Sequence, residues 1–113
     1  MIRRIPGTNP TRSRSVLHNG IMTTVATAPI KSDSMYEQTR GALAMINNSL
    51  VEAGSSQAQI LTALCYCADM SRKPDLNKAW DEWADRANIP MRAVLGVQLE
   101  GQDLIEIIVT ATV

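Results

Sequence analysis

The 113-residue sequence has few of the residue types on which cofactor chemistry and membrane insertion depend. Aromatic residues make up 4% of it, Phe is absent, and His18 is the single histidine. The only cysteines, Cys65 and Cys67, together with one imidazole provide too few ligands for a structural zinc site. No run approaches the roughly 18 apolar residues of a membrane span. We therefore expect no cofactor, no membrane association, and a cytoplasmic protein whose cysteines are small core residues.

The charge balance is neutral, with 11 basic and 11 acidic residues, which argues against binding nucleic acid through overall charge. The N-terminal third is nevertheless biased. A basic, Ser-containing segment free of acids is typical of an organelle transit peptide, but this one contains a hairpin pattern, so we assign it to the folded domain. Residues 1–32 hold five basic side chains and no acidic one: Arg3, Arg4, Arg12, Arg14 and Lys31.

The first half of the chain predicts a hairpin followed by a helix. A short strand is expected at residues 2–5. Asn19-Gly20 favours the positive φ angles of a type I′ turn, so residues 13–18 and 21–28 are predicted to form a β-hairpin. Ser34 and Glu37 have the spacing of a capping box, and apolar residues then recur on one helical face as far as Gly54.

The second half predicts three strands and one helix. Residues 60–68 are apolar on both faces, as in a central strand covered on both sides. A helix is expected from Pro74, with Leu76, Trp80, Trp83 and Ala87 on one face, and strands follow at residues 91–99 and 104–113. The whole predicts a single domain, residues 1–113, of the α+β class, with a mixed sheet and two helices packed on one face.

Two charged residues stand alone in the apolar sequence of the last two strands: Arg92 and Glu106. A charge inside apolar strand sequence loses hydration and normally has a partner or faces a cleft. The planar guanidinium of Arg92 matches the geometry of a carboxylate, and Glu106 could orient a water or transfer a proton. Asn77, in the preceding helix, could hold a carbonyl or an amide of a ligand. A structural Arg92–Glu106 ion pair, with Asn77 as a hydrogen-bonding residue of the helix, explains the same pattern.

The order of several short motifs resembles the reactive intermediate deaminase family, also called RidA or YjgF-like. The resemblance extends over nearly the whole chain and is strongest from Gln38 onward. Its motifs are Gln38-Thr39, the segment from Leu50 to Ser56, Asn77-Lys78-Ala79-Trp80, Pro90-Met91-Arg92 and Ile105-Glu106-Ile107.

The resemblance implies a chorismate mutase-like fold and a homotrimer with ligand clefts between subunits. It also implies hydrolysis of the imines and enamines of 2-amino acids, such as 2-aminoacrylate, to 2-keto acids and ammonia. By position, Arg92 corresponds to the arginine that holds the substrate carboxylate. Glu106 corresponds to the glutamate that positions the attacking water, and Asn77 to an asparagine of the cleft.

Three positions depart from the family pattern. Val94, a substrate-binding position by this correspondence, stands where many active members have Cys. Val25 stands about where a Ser is usual, and Arg12 falls near the position of a Tyr in the cleft. A trimer that binds small carboxylates without catalysis is the alternative expectation, and an RNA-cleaving activity is the least favoured.

Overall fold

The computed structural model describes residues 1–113, which form one six-stranded sheet and two α-helices. The strand order is β1-β2-β3-β6-β4-β5, in which only β4 and β5 run parallel. Short 3₁₀ turns precede β4 and α2. This is the α+β mixed sheet that the sequence predicts. The elements are β1 (Arg3–Pro6), β2 (Ser13–His18), β3 (Ile21–Thr27), α1 (Met35–Glu52), β4 (Ile60–Cys67), α2 (Lys73–Trp83), β5 (Met91–Gly96) and β6 (Ile105–Thr112).

The hairpin of β2 and β3 is confirmed. Asn19 and Gly20 have φ values of 52° and 76°, as a type I′ turn requires. The strand register pairs His18 with Ile21 directly beside the turn. Local turn chemistry therefore sets this register.

Local hydrogen bonds define both ends of α1. The Ser34 hydroxyl accepts a 3.1 Å hydrogen bond from the Glu37 N–H, as predicted. The reciprocal half of the capping box differs: the Glu37 carboxylate accepts a hydrogen bond from the Ser32 hydroxyl, whose oxygen accepts one from the Ser34 N–H. At the other end Gly54 has a φ of 81°, the left-handed conformation in which many helices end.

The core lies between the two helices and one face of the sheet. Alternate side chains of the central strands point toward the helices and are excluded from water, as the period of a β-strand requires. The fully buried residues that form this layer include Met22, Leu43, Ile46, Leu50, Ala63, Cys65, Cys67, Leu76, Ile105, Ile107, Val109 and Ala111.

Within the chain, neither helix covers the opposite face of the sheet. β4 is central, as predicted, with β6 on one side and β5 on the other. Its residues Thr62, Leu64 and Tyr66 point away from the helices and are half-exposed. The prediction that this strand is covered on both faces is therefore correct for only one face of the isolated chain.

Two boundaries in the second half differ from the prediction. α2 ends at Trp83, so Ala87 lies outside the helix. Ala84 has extended backbone, and the Asp85 carboxylate accepts a 3.0 Å hydrogen bond from the Ala87 N–H. This turn competes with another helical turn, because an Asp side chain offers the backbone an alternative hydrogen bond.

β5 ends at Gly96 and does not pair with β6, although a short connection joins them. The connection passes over the end of β4, where the Val97 N–H donates to the Cys67 carbonyl and the Ala68 N–H donates to the Leu104 carbonyl. β6 therefore enters the sheet between β3 and β4. Neither α-helix is long and apolar enough to span a bilayer.

Gln38 connects the start of α1 to the segment that leads into β6. Its fully buried amide donates to the carbonyl oxygens of Ser32 (2.7 Å) and Gln102 (2.9 Å). Its side-chain oxygen accepts a 3.0 Å hydrogen bond from the Leu104 N–H. One side chain thus satisfies three backbone groups, and one of them, the Leu104 N–H, lies two residues before Glu106.

We expect Gln38→Leu to lower the free energy of unfolding by about 2–4 kcal/mol, because it leaves buried backbone groups without partners. The measurement is urea unfolding followed by circular dichroism. Gln102→Leu is the matched control, since the Gln102 side chain is exposed and the same change there should cost little. Equal stability of the two variants would contradict the role given to Gln38.

Candidate functional site

Arg92 faces the helices from the edge strand β5. Its Cα is paired with that of Ala63, which is fully buried beneath the helices. The Arg92 Nη2 donates a 2.9 Å hydrogen bond to the Asn77 Oδ1, and the guanidinium carbon lies 5.2 Å from the centroid of the Trp80 ring. The structure therefore brings two of the predicted residues, Arg92 and Asn77, into direct contact.

The Arg92 guanidinium has no carboxylate partner. No acidic side chain lies within 4.0 Å of it, and its Nη1 is buried without a hydrogen-bond acceptor. An arginine is always charged at physiological pH, and a buried donor without an acceptor is costly. Both costs fall when a carboxylate binds, so the arrangement suits an anionic ligand.

Val94 lies on the same side of β5 as Arg92. Its Cα is paired with that of the buried Cys65, and its half-buried side chain packs against the core cluster. Val94 therefore adds an apolar wall beside the guanidinium, with no side-chain donor or acceptor.

Glu106 faces away from the helices. It pairs with Thr27 on one side and Tyr66 on the other, and all three side chains are half-exposed. Its carboxylate forms neither a salt bridge nor a side-chain hydrogen bond. It lines a cavity of about 580 Å³ that Arg12 and Val25 also line.

The alternative of an Arg92–Glu106 ion pair is wrong for the chain itself. β4 separates the two strands, and Arg92 pairs beside Ala63 while Glu106 pairs beside Tyr66, three residues further along β4. The two residues are therefore roughly 14 Å apart, from about 10 Å across the sheet and about 10 Å along it, and they point to opposite faces. The structure thus places the predicted residues in two groups: Arg92, Asn77 and Val94 on one face, and Glu106 on the other.

The sequence reasoning missed two features of these groups. Trp80 was predicted as a core or interface residue on the apolar face of its helix, but the Arg92 guanidinium also lies over its ring. Its spacing of three residues from Asn77 on a helix was a usable signal, because such residues share a face. Lys31 lines the cavity beside Glu106, and no local pattern in the sequence indicated this.

Cys65 and Cys67 are buried free thiols, as predicted for core residues. No three His, Cys, Asp or Glu side chains cluster in a way that could hold a metal ion. Burial raises the pKa of the Cys65 thiol to about 11, while the nearby Arg92 charge opposes that shift. The thiol is therefore neutral at physiological pH and is a poor nucleophile.

The raised pKa of Cys65 predicts a stability change at high pH. Because this pKa rises from 9.0 to about 11 on folding, the neutral thiol's contribution is complete below pH 9 and is lost as the pH rises to about 11. Relative to Cys65→Ala, the wild type should lose roughly 1–3 kcal/mol of unfolding free energy over this range. Urea unfolding at stepped pH measures the difference, and a constant difference would contradict the assignment.

Comparison with known proteins gives consistent matches. The family model described as Endoribonuclease L-PSP matches residues 11–113. A RutC family protein from Haemophilus ducreyi is 34% identical over an alignment of 115 positions, which covers 100% of this chain and 97% of the relative. A RutC family protein from Haemophilus influenzae is 41% identical over 78 residues, or 68% of this chain and 67% of that protein.

The structure of a YjgF family member from Neisseria meningitidis is similar throughout. The two chains are 32% identical and superimpose with a TM-score of 0.93, over 99% of this chain and 94% of the other. The similarity therefore includes β5 and β6, the strands that carry Arg92 and Glu106.

Proposed function

We propose, since this chain belongs to the Endoribonuclease L-PSP family of its RutC and YjgF relatives, that it hydrolyses 2-imino acids and their enamine tautomers. The products are the 2-keto acid and ammonia. The observation that carries this proposal is the Arg92 guanidinium, which has a buried donor without an acceptor and no acidic partner. It is suited to hold the carboxylate that all such substrates share.

In the proposed reaction Arg92 binds the substrate carboxylate while Asn77 and Trp80 hold the guanidinium in place. The Glu106 carboxylate accepts a proton from a water molecule as the water oxygen bonds to the imine carbon. The proton passes to nitrogen, giving a carbinolamine. The carbinolamine hydroxyl then loses its proton, which the same carboxylate transfers to nitrogen, and the C–N bond breaks so that ammonia leaves as the carbonyl forms. Positioning the two reactants and transferring the proton supply the acceleration.

We further propose that the site forms between subunits, with Arg92 from one chain and Glu106 from its neighbour in a homotrimer. The two residues face opposite sides of one sheet, so a single chain does not join them. The sheet face that carries Glu106 is partly apolar and half-exposed, which suits burial against another copy. Its apolar side chains include Val25, Leu64, Tyr66 and Ile108.

Binding without catalysis is the second candidate. Two positions favour it: Val94 beside Arg92 and Val25 in the Glu106 cavity are apolar where polar side chains would assist catalysis. A trimer of this kind would bind 2-keto acids through Arg92 and report their concentration. The experiments on Glu106 below separate the two candidates.

The description of the family model also names an endoribonuclease activity. The features that favour RNA binding are weak in this chain. Arg14, in the basic N-terminal segment, is paired with Glu52, and the aromatic residues lie in α1, β4 and α2 rather than beside that segment. Bases of single-stranded RNA are usually held by aromatic stacking, so we place this activity third.

We expect Arg92→Ala to fold but to bind 2-oxobutyrate at least about 30-fold more weakly, because a charge-assisted contact with a carboxylate is worth about 2 kcal/mol or more. Isothermal calorimetry measures the affinity and circular dichroism the fold. Arg3→Ala is the matched control, since Arg3 is an exposed arginine with no acidic partner and lies in β1, away from Arg92. Unchanged affinity in Arg92→Ala would show that the carboxylate binds elsewhere.

We expect Glu106→Gln to retain 2-oxobutyrate binding and to lower the rate of imine hydrolysis by roughly 10²–10⁴-fold, the usual contribution of a positioned acid or base. The assay uses a lyase that generates 2-aminoacrylate and times keto acid release with and without the protein. No acceleration by the wild type would leave the binding trimer as the function. Acceleration that survives Glu106→Gln would mean that another group positions the water.

Mixing the two inactive variants tests the shared site. In a ring of subunits, random co-assembly of Arg92→Ala with Glu106→Gln should restore about one quarter of the sites, since some clefts then combine both intact residues. Each variant refolded alone is the control. Failure of the mixture to recover activity, with mixed trimers verified by mass, would contradict a site between subunits.

A further inference from the structure

The cavity beside Glu106 contains a cation that the proposed reaction does not use. Three basic residues line this cavity: Arg12, Arg14 and Lys31. Two of them have acidic partners, since Arg14 forms a salt bridge with Glu52 and Lys31 forms one with Asp103 at 2.5 Å.

Arg12 differs from the other two cations. Its only side-chain hydrogen bond goes from Nη1 to the hydroxyl of the adjacent Thr11, at 3.1 Å, and no carboxylate lies within 4.0 Å. The side chain is exposed and projects from the segment between β1 and β2. Most of its donors are therefore free to bind a ligand in the cavity.

Arg12 is the one unpaired cation among the residues that line the cavity. With Arg14 and Lys31 paired, the remaining charges on the lining residues are Arg12 and the unpaired Glu106. A substrate side chain that ends in a carboxylate would be attracted to Arg12, whose planar fork matches carboxylate geometry. The cavity volume of about 580 Å³ is within the usual range for small-molecule sites.

We infer that Arg12 determines specificity and selects 2-imino dicarboxylic acids, in which a second carboxylate ends the side chain. This inference rests on the proposed function: Arg92 of one subunit holds the carboxylate next to the imine, and Arg12 of the neighbour binds the distal one. The reaction that supplies the substrate must oxidise the α-amine of an acidic amino acid, or eliminate a β-substituent from one that carries a leaving group. The hydrolysis itself is unchanged, with water providing the carbonyl oxygen and ammonia leaving.

The binding test compares 2-oxoglutarate with 2-oxopentanoate, which differ only in a terminal carboxylate against a methyl group. By calorimetry, the wild type should bind 2-oxoglutarate at least about tenfold more tightly, because Arg12 donates a charge-assisted hydrogen bond to the second carboxylate. Arg12→Gln should remove that preference, and Arg12→Lys should restore part of it. Arg3→Gln, which removes the same charge outside the cavity, should keep the preference.

The kinetic test uses the imines of glutamate and norvaline, generated by an amino acid oxidase. Arg12→Gln should lower kcat/KM for the glutamate imine by about 10–100-fold by raising KM, because Arg12 contacts the distal group in ground and transition states alike. The same variant should change kcat/KM for the norvaline imine less than about threefold. Equal effects on both imines, or a wild type without preference between the two keto acids, would overturn the inference. An Arg12-dependent binding preference without hydrolysis of either imine would refute the proposed catalysis and leave the selectivity of Arg12 standing.

Discussion

The alternation of side chains along β6 constrains the rest of the structure. This strand lies between β3 and β4, and its residues Ile105, Ile107 and Val109 are fully buried against the helices. Burying several large aliphatic side chains is worth several kcal/mol, so the register of β6 cannot slip by one residue without exposing all of them. The same register directs Glu106 to the other face, away from Arg92.

This separation explains why no single chain contains a complete site. Arg92 lies on an edge strand, half-buried among Trp80, Asn77 and Val94, and Glu106 lies on the uncovered face. Each group is positioned by the core yet has no charged partner within the chain. An assembly that brings the edge of one sheet to the face of another would unite them, with each half held by a packed sheet.

The candidate functional cations combine the lack of an acidic partner with a second feature, either a buried donor or a position beside Glu106. Arg14, Lys31 and Arg72 all have acidic partners, and surface pairs of this kind contribute modestly to stability. Arg92 and Arg12 have none, although the first has a buried donor and the second lines a cavity. A guanidinium held by an aromatic ring and an amide oxygen has no counter-charge within the chain, so its charge is available to an anionic ligand. In an ion pair, the partner carboxylate would already neutralise that charge.

Local chemistry made much of the fold predictable from sequence. Asn19-Gly20 specified the hairpin turn, and Ser34 and Gly54 specified the ends of α1, because hydrogen bonds and φ preferences act within a few residues. The predicted end of α2 was wrong, because the apolar spacing of a helix continues to Ala87 while the Asp85 carboxylate accepts a hydrogen bond from the Ala87 N–H and forms a turn instead. The apolar surroundings of Arg92 and Glu106 singled out both residues, since an isolated charge in strand sequence is costly wherever the strand lies.

The sequence by itself thus determined the types of the elements, the turn, the limits of the first helix and the identity of the two unusual charges. Only the tertiary structure decided that β6 enters between β3 and β4, that Arg92 and Glu106 face opposite sides, and that Trp80 and Asn77 hold the guanidinium. The physical reason is the distance along the chain over which each interaction acts. Turn and cap preferences are settled among neighbours in the chain, whereas strand order follows from which pairing buries the most apolar surface at once, and that depends on residues far apart in sequence.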